Sequence, residues 1–189
     1  GMPAKMKEIS AIAANYDIPI IEDAAEALGS HINGQKCASF GQFGILSFNG
    51  NKIITTSGGG ALQSSNEEAI NKARFLATQA RDNAPHYQHS HIGYNYRMSN
   101  VVAGIGRGQM IVLPERIEQR RAVYNRYVTA FGANYLDVDY NPVSDKWNHK
   151  NSSKNGIYFL KEPVGFYSNR WLTTIIVNQD ETGGISRED

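Results

Sequence analysis

The chain has 189 residues, 41% apolar and 20% charged, with 10 Tyr and 7 Phe, enough for one sizeable core or one domain with part of another. A formal net charge of +1 gives no electrostatic case for nucleic acid or an anionic membrane surface. The single cysteine, Cys37, excludes an internal disulfide framework and agrees with a cytoplasmic, reducing setting, and no apolar run approaches the ~20 residues of a spanning helix.

Pro3 to Tyr16 reads as a helix. Pro3 suits its first turn, and Met6, Ile9, Ile12, Ala13 and Tyr16 recur on one face. After a turn at Asp17, Ile18-Pro19-Ile20-Ile21 is a short continuous apolar run, the pattern of a parallel strand covered on both faces. It leads into Glu22-Asp23, so acidic groups are expected at the carboxyl end of a strand, where open α/β sheets place their ligands. Gly29 to Gly44 reads as a loop with a tight turn at Asn33-Gly34, and Ile45 to Phe48 as a second strand.

Asn66 is placed to cap a helix whose first turn carries Glu67 and Glu68 and whose apolar face holds Ile70, Ala73, Leu76, Ala77 and Ala80. Arg81 to Tyr96 is a polar loop. Ser99 or Asn100 caps a further helix, in which Gly104, Gly106 and Gly108 predict close backbone packing, since each costs about 1 kcal/mol in a helix interior. Pro114 opens or kinks a long helix through Phe131, with Leu113, Ile117, Tyr124, Val128 and Phe131 on its apolar face. Gly132 to Lys154 reads as a polar domain junction, and Tyr167 to Val177 recovers strand character through its Trp171–Val177 part. Gly183-Gly184 and Ile185 to Asp189 predict a turn and a helix start capped by Ser186. The division expected is a partial large domain over 1–113, followed by a long connecting helix and a partial small domain over 114–189.

The chemistry centres on Ser47 to Leu62, S-F-N-G-N-K-I-I-T-T-S-G-G-G-A-L, where Lys52 follows an apolar strand and is flanked by Phe48, Ile53 and Ile54. One reading is a lysine snorkelling at the end of a buried strand. The other is a desolvated amine held for attack on a carbonyl, a reaction that only the neutral form performs. Asp23, at the end of the preceding strand, would face the same crevice. The pair then reads either as a partly buried ion pair or as a pyridoxal phosphate site, with the lysine forming the Schiff base and the carboxylate pairing with the pyridinium nitrogen. Gly58-Gly59-Gly60 lacks the surrounding residues of a nucleotide P-loop. His86, His89 and His91 lack companion ligands for zinc, so no metal site is expected. Cys37 has no identified base partner.

Three motifs, I-I-E-D-A-A-E-A-L-G-S (Ile20 to Ser30), S-F-x-x-x-K-x-I-T-T-x-G-G-G (Ser47 to Gly60) and G-Y-N-Y-R-M-S-N (Gly93 to Asn100), occur in one register. Together they resemble the DegT/DnrJ-type sugar aminotransferases, which are fold type I pyridoxal phosphate enzymes. R-W-L-T-T-I-I-V (Arg170 to Val177) is similar to that family's small-domain strand. The resemblance implies an α/β fold: part of the mixed, mainly parallel sheet of the large domain, with an incomplete small α+β domain. It implies a catalytic Lys52 that binds pyridoxal 5'-phosphate and moves the proton between cofactor and substrate carbons. Asp23 would bind the pyridine nitrogen, Ala25 would pack on a ring face, and Glu26, where many members carry Gln, would lie near the ring hydroxyl. Ser47 would bond the phosphate, and Asn95 the phosphate of a partner subunit's cofactor in a homodimer. Arg97, Tyr94 and Tyr96 are weaker candidates for subunit or substrate contacts.

The implied reaction takes an amino group from a donor such as glutamate and passes it to a nucleotide-linked 4-keto sugar, for surface polysaccharide or glycan precursor synthesis. A dehydratase branch of the family carries histidine in place of the lysine, and Lys52 argues against it. The resemblance also implies roughly half of such an enzyme, without the upstream phosphate-binding loop and stacking aromatic residue. The alternative reading is therefore a truncated, inactive family member acting as a folded fragment or interaction module.

Overall fold

The computed structural model describes residues 1–131, 156–186 and 188, with the backbone alone of three two-residue strands between the first two blocks. The first helix, α1 (Met6–Asn15), buries only Met6. Ile9, Ile12 and Tyr16, on the predicted apolar face, stay exposed; Ile9 lines, with Met6 and residues 20–24, a cleft of about 310 Å³.

The first strand is β1 (Ile21–Asp23) rather than Ile18–Ile21. Ile18 N–H is used on Ala13 O at 3.0 Å to close the helix, and Pro19 has no N–H to offer. β1 is not covered on both faces, since Ile21 is exposed. Nor do both acidic groups emerge at the strand end. Glu22 turns inward and is buried, accepting the N–H groups of Ala38 (2.9 Å), Phe40 and Gly41 (2.7 Å). A buried carboxylate demands such donors, and these three shape the loop before the next long strand.

The predicted tight turn is present, with Asn33 and Gly34 both at positive φ, 49° and 87°. It joins a hairpin, β2 (His31–Ile32) and β3 (Gln35–Lys36), within the stretch read as loop. Two-residue strands carry no period to read. β4 (Phe43–Ser47) runs parallel to β1, pairing Ile21 with Phe43 and Asp23 with Ile45. β5 (Gly60–Gln63) adds antiparallel to β4, so the order is β1-β4-β5 in a mixed sheet.

α2 (Glu67–Leu76) is capped by Asn66, whose Oδ1 accepts Ala69 N–H at 2.9 Å. Ser99 caps α3 (Asn100–Ile111). Of the three glycines in α3 only Gly106 is closely approached: a Cβ there would lie 3.1 Å from Thr56 Cγ2, while Gly104 and Gly108 face open space. α4 (Leu113–Ala130) has Pro114 in its first turn and buries Leu113, Ile117, Tyr124 and Val128, four of the five predicted residues. Its N-terminal half packs on Ile54, Leu28, Phe48, Ile53 and Tyr167, and its C-terminal half on Phe159.

β6 (Tyr135–Leu136), β7 (Tyr140–Asn141) and β8 (Lys146–Trp147) are the strands given by backbone only. The predicted junction over 132–154 otherwise lies outside the described residues. β9 (Ile157–Leu160) was not predicted; it pairs parallel with β6 and antiparallel with β11 (Ile175–Val177). β10 (Phe166–Tyr167) extends the β2–β3 hairpin, with Tyr167 opposite His31 and their rings stacked at 4.7 Å.

The strand expected over Trp171–Val177 is confined to Ile175–Val177. Residues 168–171 are buried and bonded through side chains instead of a ladder. Gly183 and Gly184 make the expected turn with positive φ. Ser186 Oγ accepts Glu188 N–H at 3.1 Å as a cap would, with residues 187 and 189 outside the described set. Among the described residues no helix is long and apolar enough to cross a membrane.

Candidate functional site

Lys52 sits in a turn beyond β4 that is tied down on both sides. Its N–H bonds Asn49 O at 3.1 Å, Phe48 N–H bonds Gly59 O, and Thr56 N–H and Thr55 Oγ1 both donate to Phe48 O. Ile54 is 2% exposed and Ile53 packs beside it, so burial of these two draws the intervening backbone inward. The lysine side chain is consequently only 13% exposed.

Two groups meet the amine. Glu26 Oε1 lies 3.3 Å from Nζ, and the Trp171 ring centroid lies 4.7 Å from it. The ion pair is thus with Glu26 rather than with Asp23. Asp23 closes β1, accepting Ala25 N–H on Oδ1 at 3.1 Å; its other oxygen accepts no hydrogen bond among the described residues. Ala25 is half-buried between Asp23 and Glu26. Ser47 ends β4, five residues before Lys52, and its Oγ accepts Asn49 N–H at 3.4 Å.

Lys52, Glu26, Asp23, Ala25 and Ser47 therefore collect at the carboxyl ends of two adjacent parallel strands. Asn95 does not join their contacts. It is exposed and bridged to Thr78, with Tyr94 and Tyr96 stacked and exposed beside it, their ring centroids 5.3 Å apart. Of the loop histidines, the His89 ring bonds Gln79 O at 2.9 Å and His91 packs edge-on against Phe75.

Sequence reasoning missed the second wall of the site. Asn169 is fully buried, and its side chain joins three backbone groups: Nδ2 donates to Glu26 O (3.0 Å) and Leu28 O (2.9 Å), and Oδ1 accepts Trp171 N–H (2.9 Å), while its own N–H donates to the Ser30 hydroxyl, Oγ (2.9 Å). Trp171 Nε1 donates to Asn51 O at 2.7 Å. The run Ser168–Trp171 thus stitches the loop after β1 to the Lys52 turn. The sequence marks only Arg170 and Trp171 of this run, and as the start of a strand that the structure confines to Ile175–Val177; nothing local marks Ser168 and Asn169.

That run is itself held from α4. Arg121 makes a two-pronged pair with Glu162, at 2.6 and 3.1 Å, and donates to Ser168 O at 2.7 Å. Ser168 N–H donates to Glu162 Oε1 at 2.7 Å. Burial pushes the Glu162 carboxyl up, but the Arg121 hydrogen bonds, Ser168 N–H and the charges of Arg121 and Arg170 outweigh it and hold the group below its ordinary 4.5. The same pairing raises Arg121. Cys37 moves the other way: burial, then the charge of Glu22, push its thiol up to about 11, which makes it a poor nucleophile.

Comparison with known proteins relates the chain to a family. A model of the DegT/DnrJ/EryC1/StrS aminotransferase family matches residues 1–160. The chain is 51% identical over 178 residues to EpsN of Bacillus subtilis, whose name assigns it as a pyridoxal phosphate-dependent aminotransferase; the match covers 94% of this chain and 41% of EpsN. It is 37% identical over 137 residues to the UDP-4-amino-4,6-dideoxy-N-acetyl-beta-L-altrosamine transaminase of Campylobacter jejuni, covering 71% of this chain and 36% of the transaminase. The crystal structure of the aminotransferase TlmJ from Streptoalloteichus hindustanus superposes with a TM-score of 0.79 at 24% identity, over 95% of this chain and 44% of that one. The chain spans about two fifths of the length of the curated relatives it matches.

Proposed function

The chain belongs to the DegT/DnrJ/EryC1/StrS aminotransferase family, and from that premise we propose that it forms the lysine-bearing part of a pyridoxal-phosphate-dependent aminotransferase acting on a nucleotide-linked keto sugar. The observation that carries this reading is a largely buried primary amine, Lys52, beyond the carboxyl end of β4 and 3.3 Å from the Glu26 carboxylate, with Asp23 and Ser47 at the ends of the adjacent parallel strands β1 and β4. When bound, pyridoxal phosphate carries the amino group between donor and acceptor and takes up the electron pair left on the substrate carbon.

The residues present fit that group. Lys52 supplies the amine that attaches a carbonyl covalently, and the same Nζ then moves the proton at the reacting carbon. Asp23, with one oxygen uncommitted among the described residues, can hold the proton of a pyridine nitrogen. Ala25 offers a small, half-buried surface for one ring face, Glu26 a carboxylate near a ring hydroxyl, and Ser47 a hydroxyl for a phosphate oxygen. Asn95, apart from this cluster, is assigned to the cofactor phosphate of a second subunit in a homodimer. Residues 1–113 would form the cofactor-binding part, and 114–189 the connecting helix and part of a smaller domain.

The name of the Campylobacter jejuni relative, with its 4-amino-4,6-dideoxy sugar on UDP, supports a 4-keto-6-deoxy acceptor. Such a product belongs to surface polysaccharide or glycan precursor synthesis, with an amino acid such as glutamate as donor, in the cytoplasm.

The test is to incubate the full-length protein with pyridoxal phosphate, reduce with borohydride and map the adduct by mass spectrometry. A pyridoxyl group on Lys52, lost in Lys52→Ala, is the expected result, followed by amination of a nucleotide-linked 4-keto sugar. No adduct at Lys52, or labelling scattered over surface lysines, overturns the reading in favour of an inactive family member.

A further inference from the structure

Trp171 reaches Lys52 on a segment that is costly to build. Ser168, Asn169, Arg170 and Trp171 are all buried, and Arg170 adopts a φ of 50°, in the left-handed region that a long side chain seldom occupies. Several contacts offset that cost. The Arg170 guanidinium donates to Leu160 O at 3.0 Å and lies 3.7 Å over the Tyr124 ring. Asn169 Oδ1 holds the Trp171 N–H, and Asn51 O, in the residue before the lysine, holds Nε1. The indole is thereby fixed at its backbone and at its ring nitrogen, with a face 4.7 Å from Lys52 Nζ. That distance is well inside the range at which an aromatic face attracts an ammonium.

We propose that Trp171 is a positioning residue for Lys52: its indole face confines the amine beside Glu26, so that the nitrogen is presented in one place to the carbonyl it takes up. This rests on the reading of Lys52 as the cofactor-binding lysine. A lysine side chain left free sweeps many rotamers, and an aromatic face plus one carboxylate is the minimum that holds both its stem and its charge. Confinement has two effects of opposite sign. Loss of the indole face frees the amine, so a small reagent finds it more often. Capture of a cofactor seated beside Glu26 and Asp23 becomes slower, because the nitrogen is less often in line.

The experiment uses the full-length protein freed of cofactor. Lysines are labelled with trace acetic anhydride, and Lys52 is compared with the exposed Lys7 by mass spectrometry, in wild type, Trp171→Phe and Trp171→Leu. Trp171→Leu is expected to raise the Lys52 to Lys7 ratio about fivefold, the change that losing ~1 kcal/mol of attraction brings. It should at the same time slow pyridoxal phosphate capture at Lys52. Trp171→Phe, which keeps a ring face, should stay within about twofold of wild type in both. An unchanged ratio in Trp171→Leu, an equal rise in both variants, or labelling and capture moving in the same direction overturns the proposal. Should the leucine variant fail to fold by circular dichroism, the folded phenylalanine variant decides: a fivefold rise refutes, and a ratio within twofold supports. No adduct in wild type would defeat the cofactor reading, while the labelling ratios still judge whether Trp171 confines the amine.

Discussion

Replacing Asn169 by alanine should be among the most damaging single changes outside the apolar core. The side chain is fully buried and makes three hydrogen bonds to the main chain, donating to Glu26 O and Leu28 O and accepting from Trp171 N–H. Each such bond is worth about 1 kcal/mol net, and each partner left buried and unpaired costs roughly 1–3 kcal/mol, so Asn169→Ala should destabilise by about 3–6 kcal/mol. Asn169→Asp separates polarity from volume. It keeps Oδ1 and the shape, but turns an oxygen towards the two carbonyls that Nδ2 had served, so it should cost at least as much as alanine. Urea unfolding followed by near-ultraviolet circular dichroism reads this as a fall in midpoint at unchanged slope. A loss under about 1 kcal/mol for alanine, or an aspartate variant more stable than alanine, would refute the claim that this amide bridges the two walls of the site.

Two further outcomes are expected. Because Glu162 is held below its ordinary 4.5 in the folded state, its contribution is fully present above that pH and is lost as pH falls through the folded value. Glu162→Gln should therefore be less stable than wild type at pH 7, with the gap closing below about pH 4.5; thermal melts showing a constant gap down to pH 3 would contradict the pairing with Arg121. Cys37, with a thiol at about 11 against an ordinary 9.0, should alkylate about a hundredfold more slowly at pH 8 than an unperturbed thiol. Iodoacetamide kinetics matching a free thiol would show that burial and Glu22 do not act on it.

What could be read from the sequence follows the range of the interactions involved. Asn66, and the pair Ser99 or Asn100 of which the structure selects Ser99, were identifiable as caps because a cap acts on an N–H three residues away. Asn33-Gly34 was identifiable because only residues tolerant of positive φ make that turn. The α4 face was visible because Leu113, Ile117, Tyr124 and Val128 keep helical spacing. Lys52 stood out by its apolar flanks, and burial of Ile53 and Ile54 does draw it inward. Glu22 did not stand out. An acid after an apolar run looks like a strand end, and its three donors lie 16 to 19 residues downstream. Asn169 and Trp171 are the extreme case, with partners 120 to 143 residues away. The residue types were visible, yet a buried amide acquires meaning only from the groups it satisfies, and those are assembled by the fold. The reactive group of this site is thus encoded locally, while the residues that hold it still are encoded by contacts between the two ends of the chain. Substitutions at Asn169 or Trp171 should accordingly disturb Lys52 while leaving the Ser47–Gly60 motif that carries it intact.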